Sequence, residues 1–344
     1  MLKRVLVLAI LPLLLSACSK NTGEEIVFSS WGSITETKIL TGIIKDFEDE
    51  NPKIKVNFLH IPQNYFQKIH LLFASNQEPD VIFINNLNLP VYASRLENLD
   101  NLIDKSEFYP QGIDALSYEG HLYAIPRDIS NLVFFCNKEL LNVKNKDWRF
   151  SDFQKELQEY NRPNSWVIGF ERDVYYAIPY VMVFGGKITD EYSEGLNFYK
   201  NLEGKYSPSR SEVGSSTLAQ MFLDKKIALY LSGRWMYPKI SEKADFAWEV
   251  LPFPETTSLD ASGWAISKTS KHKEAAEKFV KFLASKESSD YFAQTGLLVP
   301  ARKDSAKILD NEKERVFLDS IENSRKTSVT KDYKRITDRI NKEL

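Results

Sequence analysis

Between residues 26 and 84 the apolar residues change period from one segment to the next, and that alternation restricts the fold more than any other feature. Ile26-Val27-Phe28 is a short strand-like run, whereas Ile39, Leu40, Ile43, Ile44 and Phe47 recur at helical spacing. Ile54, Val56 and Phe58 then alternate with Lys55 and Asn57 as in a half-buried strand. Tyr65, Phe66, Ile69, Leu72 and Phe73 form a second helical face, and Asp80 leads into the apolar run Val81 to Ile84. Thr35 is the expected N-cap of the first helix and Asn51-Pro52 its stop, while Glu78-Pro79 ends the second. Strand, helix, strand, helix, strand implies a parallel sheet with right-handed crossovers. Ligands of such sheets collect at the carboxyl ends of strands, here Trp31-Gly32, His60 to Asn64 and Asn85-Asn86.

The pattern changes after Gly120-His121-Leu122-Tyr123-Ala124-Ile125-Pro126-Arg127-Asp128. Pro126 lacks an N–H and suits a strand exit. A second strand, Leu132 to Cys136, follows it into a more aromatic region, so the segment reads as a first crossing between two lobes with a cleft at the crossing. Six Trp and 16 Tyr supply flat faces for lining such a cleft. In the second lobe, Gly169 to Gly186 is an aromatic-rich helix ending in glycines. Two readings fit it: one amphipathic core face, or a helix that turns Tyr175, Tyr176 or Tyr180 toward the cleft.

Residues 1–17 carry Lys3 and Arg4 before an apolar run from Val5 to Leu15, too short for a membrane span and laid out as a signal peptide. Leu15-Ser16-Ala17-Cys18 resembles the lipobox of bacterial lipoproteins, which implies lipidation of Cys18 and a tether over 18–24. The chain is thus expected to be exported and held on a bacterial membrane. Cys136, the second of two cysteines, is expected to be buried and unreactive. Dispersed basic residues and a net charge of −2 argue against nucleic acid. The four histidines are scattered, and neither Gly-x-Ser-x-Gly nor His-Glu-x-x-His occurs, so no catalytic residue, metal site or cofactor is expected.

Several motifs, in order, resemble the sugar-binding solute-binding proteins of bacterial ABC importers, the maltose-binding-protein-like family. They are Trp31-Gly32, Asn51-Pro52-Lys53-Ile54, Pro79-Asp80-Val81, Leu96-Glu97-Asn98-Leu99-Asp100, Gly120 to Pro126 and Phe135-Cys136-Asn137-Lys138-Glu139-Leu140. The second lobe adds Trp148-Arg149-Phe150-Ser151, with Ser151 as the expected cap of a helix to Tyr160, and Phe222 to Trp235. Leu251-Pro252-Phe253-Pro254 marks a second crossing, Ala275 to Leu283 a returning helix, and Gly296 to Arg302 a third crossing. Each match is weak alone; their order and spacing carry the resemblance.

The resemblance implies an α/β protein with a two-lobed periplasmic-binding-protein fold of type II, each lobe a mainly parallel sheet flanked by helices, joined by three hinge crossings. Lobe 1 is expected over 25–128 plus 260–300, and lobe 2 over 129–254 plus 303–344, with the charged tail closing the second lobe. The expected activity is capture of a sugar or oligosaccharide in the cleft by a monomeric receptor, which delivers it to an ABC permease by hinge closure. Stacking falls to Trp31, Trp235 and Trp264, with Tyr176 beside them, and hydroxyl pairing to Glu36, Asn85, Asn86, Asp128 and Arg234. The rival readings are a lipid-anchored carbohydrate-active enzyme and a sensor or adhesin on the same fold.

Overall fold

The computed structural model describes residues 23–189 and 193–344; the expected signal peptide and lipidated Cys18 lie outside the described residues. The first lobe opens with β1 (Glu24–Ser30), α1 (Ile34–Glu50), β2 (Ile54–His60), α2 (Tyr65–Ala74) and β3 (Val81–Asn85), the alternation expected from the apolar periods. β1 begins at Glu24, the last residue of the tether expected over 18–24. α1 is capped by Ser33 and not by Thr35. Ser33-Ile34-Thr35-Glu36 spells a capping box, in which the Ser33 side chain accepts from the Glu36 N–H and the Glu36 carboxylate accepts from the Ser33 N–H (2.9 Å). After β3 come α3 (Leu89–Tyr92), α4 (Pro110–Ala115), a small ribbon of β4 (Ser117–Tyr118) with β5 (His121–Leu122), and β6 (Ile125–Asn131).

Leu132 alone separates β6 from β7 (Val133–Asn137), the first strand of the second lobe. That lobe continues with α5 (Phe150–Glu159), β8 (Trp166–Ile168), α6 (Val174–Val183), α7 (Glu194–Lys200), α8 (Arg210–Val213), α9 (Leu218–Leu223), β9 (Ile227–Ser232), α10 (Tyr237–Lys243) and β10 (Trp248–Pro252). α5 starts ahead of Ser151, and the Asp152 carboxylate accepts from the Arg149 N–H (2.8 Å) in place of a serine cap. The chain returns as β11 (Thr257–Ile266), α11 (Lys273–Leu283), α12 (Lys286–Ala293) and β12 (Val299–Pro300), then α13 (Glu312–Glu322), β13 (Ser324–Lys326) and α14 (Tyr333–Ile340).

Both sheets are mixed, which corrects the expectation of mainly parallel ones. In the first sheet, ordered β12-β6-β11-β3-β1-β2, β1 pairs in parallel with β2 and β3, but β3–β11, β11–β6 and β6–β12 are antiparallel. In the second, ordered β10-β7-β9-β8, only β8–β9 is parallel. Parallel neighbours need a crossover connection, which the helices between β1, β2 and β3 and between β8 and β9 supply. Strands that enter from a crossing approach the sheet from its hinge end and run the other way. The tail also departs from its assignment to the second lobe. α14 packs there through Ile336 and Ile340, but β13 pairs with β11 in the first sheet.

The second sheet is covered on both faces. Val133 and Phe135 join Tyr230, Trp248, Val250 and Phe317 of α13 on one side. On the other, Phe134 stacks on Phe153 and Phe253, with ring centroids 5.5 Å apart in each pair, beside Cys136 and Ala177. The Cys136 thiol is buried there and donates to the Leu141 carbonyl; burial pushes its pKa up to about 12. That matches the expected inert cysteine. The crossings are tied together at one level: Thr257 Oγ1 donates to the Leu132 carbonyl (2.9 Å), and the Ala301 N–H donates to the Arg127 carbonyl (3.0 Å).

Candidate functional site

The carboxyl ends of β1, β2, β3 and β6 share one end of the first sheet with the amino end of β11, and β6 leads from there through Leu132 into β7, whose first residue pairs with the last of β9. At the end of β1, Trp31 is 41% exposed and stacks on Phe83 (5.6 Å), with Phe66 at 6.3 Å. Gly32 follows at φ +142°, where a Cβ would press on Glu36, so the turn that presents Trp31 requires glycine.

Beside Trp31 stands a buried guanidinium that the sequence did not single out. Arg127 lies over the rings of Phe83, Trp264 and Phe292 at 4.8, 5.6 and 5.1 Å. Its Nε donates to Asp128 Oδ1 (2.5 Å), and its Nη1 is 3.4 Å from Glu36 Oε1. Burial pushes the Asp128 carboxyl up, against the pull of Arg127. Glu36, Arg127 and Asp128 therefore act as a unit, of which only the two acids were named from the sequence.

The opposite wall comes from α6 and the segment after β9. Tyr175 packs edge-on against Tyr176 (5.6 Å) and lies 6.3 Å from Trp235. Burial, and then the carboxylates of Asp260 and Asp128 on the first lobe, push the Tyr175 phenol well above its ordinary range. Tyr176 is half-buried and senses its own lobe through Tyr230 and Glu171, whereas Tyr180 is buried in the second-lobe core. The tyrosine that meets the first lobe is thus Tyr175, one of the three left open. Trp235 is half-buried, and Gly233 leaves room for it, since a Cβ there would lie 2.0 Å from the indole ring.

Four expected site residues are otherwise engaged. Trp264 is fully buried between Phe28, Phe83 and Phe292, so it is core and offers no stacking face to a solute. Phe292 of α12 covers the face of β11 that carries it. Arg234 is buried, donating to the Leu298 carbonyl and to Glu314 of α13. Asn85 Oδ1 accepts from Asn88 N and Nδ2, closing the turn after β3. Asn86 is buried; its Nδ2 donates to Asp260 Oδ1 (2.8 Å) and its Oδ1 accepts from the Ala261 N–H (3.0 Å). Apart from the local Asn85 turn, these pairs join residues far apart in the chain, so nothing in the local sequence announced them. Asp260 is the other residue missed; an acid between Leu259 and Ala261 in an apolar strand was the available signal.

Among the described residues no group of His, Cys, Asp or Glu could hold a metal ion, and no helix is long and apolar enough to cross a membrane. The crossings thus bring Tyr175 of the second lobe within reach of the Asp128 and Asp260 charges of the first. The family of bacterial extracellular solute-binding proteins matches residues 42–315, and the chain belongs to it. Its fold is the two-lobed type II periplasmic-binding fold. A maltotriose-binding protein of Pyrococcus abyssi is 21% identical over 276 residues, 72% of this chain and 59% of that protein. A maltodextrin-binding protein of Bacillus subtilis is 25% identical over 237 residues, 60% of this chain and 56% of its own. The chain thus spans less than two-thirds of the length of either relative. Among solved structures, an ABC substrate-binding protein of Listeria monocytogenes in complex with cycloalternan superposes with a TM-score of 0.79 at 24% identity, covering 93% of this chain and 92% of that one. The maltotriose binding protein of Thermus thermophilus does so at 0.70 and 19%, covering 92% of each chain.

Proposed function

We propose that the chain is a receptor that captures a saccharide between its lobes and hands it to an ABC permease. The observation that supports the reading is Tyr175, which lies beside Trp235 on the second lobe and within reach of the Asp128 and Asp260 charges on the first. Sugar rings present apolar CH faces that stack on indole and phenol rings, and hydroxyls that pair with carboxylates. The relatives named as maltotriose- and maltodextrin-binding proteins point to the same ligand class. Contacts to both lobes favour the closed form, and the ligand shifts that equilibrium only by its differential affinity for it. Family members are binding proteins, and the receptor reading is preferred to a carbohydrate-active enzyme on that ground.

The reading includes export, lipidation at Cys18 and action as a monomer. A thermal-shift screen against mono- and oligosaccharides, sugar phosphates and amino acids tests the ligand class. Binding at 100 times Kd adds about 2.7 kcal/mol of stability. A raised midpoint with saccharides alone is the expected result; a response confined to another class would overturn the sugar assignment. Turnover of a labelled oligosaccharide would overturn the choice of receptor over enzyme. Cys18→Ser is expected to abolish lipidation and free the chain from the membrane fraction, and retention there would refute the anchor.

A further inference from the structure

The cations at the lobe junction already have anionic partners, whereas one acid has none. Arg127 is held by Asp128 and Glu36, and Arg234 by Glu314. The first-lobe wall thus sets two carboxylates, Glu36 and Asp128, against a single guanidinium. Asp260 adds a third. It is 6% exposed; Oδ1 accepts from Asn86, and Oδ2 is buried with only the neutral Thr327 hydroxyl near the carboxylate, short of a well-formed hydrogen bond. Tyr175 and Tyr333 of the second lobe lie within reach of its charge. Asn86 also lines a cavity of about 270 Å³ with Tyr118, Glu119, Lys326 and Thr327, where the Lys326 ammonium is already bound by Asp114 (2.9 Å). A buried carboxylate left without a counter-charge is costly, and an anionic solute would add to the like charge.

The geometry points to Asp260 as a specificity-determining residue that receives a cationic amine of the ligand, which makes the preferred saccharide an amino sugar. This rests on the saccharide-receptor reading and narrows it. The ammonium donates to Asp260 Oδ2 and supplies the charge that the cleft lacks. Uronates and sugar phosphates are rejected by the same surplus of acid.

The test is calorimetric titration of the full chain with a short glucosamine oligomer, its N-acetylated counterpart, a maltooligosaccharide and a glucuronate oligomer. The free-amine oligomer is expected to bind roughly tenfold or more tightly than the N-acetylated one, a gap of about 1.4 kcal/mol. Asp260→Asn, which keeps the acceptor for Asn86, is expected to erase that preference, and Asp260→Glu to retain it in part. Thermal midpoints of both variants establish that they fold. Equal binding of amine and N-acetyl forms, or a preference that survives Asp260→Asn, overturns the inference and leaves the receptor standing. Failure of every saccharide to bind overturns both.

Discussion

Arg234 and Glu314 are joined by a buried ion pair that links the turn after β9 to α13, and the same guanidinium holds the Leu298 carbonyl of the third crossing. Arg234 thereby fastens three segments that meet only at the hinge. Removing one partner of such a pair leaves the other charge buried and unanswered, at a cost of about 3–5 kcal/mol. Arg234→Ala is expected to lower stability by that order in chemical denaturation. Adding Glu314→Ala should recover part of the loss. Wild-type stability in the single variant would show that the pair is not structural.

The two tryptophans on either side of the cleft question should separate cleanly. Trp235→Ala, at a half-buried site, is expected to weaken saccharide binding by about 1–3 kcal/mol with little change in the unfolding midpoint. Trp264→Ala removes a fully buried indole and is expected to cost about 3–5 kcal/mol of stability. Reversed results, read by titration and denaturation together, would exchange their roles.

Gly233 offers a third variant. A methyl group there would stand 2.0 Å from the Trp235 ring, so Gly233→Ala must displace the indole. We expect a binding loss close to that of Trp235→Ala, with tryptophan fluorescence altered and the fold retained. Unchanged affinity would show that the position of Trp235 does not matter to the ligand.

Asp260 gives the stability curve a pH dependence. Burial raises its pKa to about 6, opposed by the Asn86 hydrogen bond. The folded chain therefore keeps a proton that the unfolded chain releases near pH 4. Stability from this group is complete below about pH 4 and falls as pH rises toward 6. Asp260→Asn is expected to raise the midpoint of the ligand-free chain at pH 7, by on the order of 1–3 kcal/mol, and to change it little at pH 4. An equal shift at both values would exclude titration of Asp260 as the cause.

The first lobe was legible because its alternation is local: Ile39 to Phe47 and Ile54 to Phe58 carry their periods within a few residues. The order of the crossings was legible through motifs such as Leu251 to Pro254. Direction of strands was not, since β11 pairs with β3 and β6 across more than a hundred residues. Exposed Trp31 and half-buried Trp235 were picked out by their place after strand ends. Trp264 was misjudged because the rings that enclose it, Phe28, Phe83 and Phe292, come from distant parts of the chain. Arg127 escaped notice since its three aromatic partners, Phe83, Trp264 and Phe292, are distant in sequence.

The position of β11 also sets the order in which the molecule can assemble. It fills the place between β3 and β6, yet reaches the sheet only after the whole second-lobe insertion over 133–256 has been traversed. Until then β3 and β6 have no neighbour on their facing edges, and closing so long a loop slows nucleation. A chain released from its amino end therefore keeps its first sheet open until most of it is out, whereas the strands of the second sheet are all present by Pro252. A fragment that ends before Thr257 is expected to expose those two edges and to aggregate.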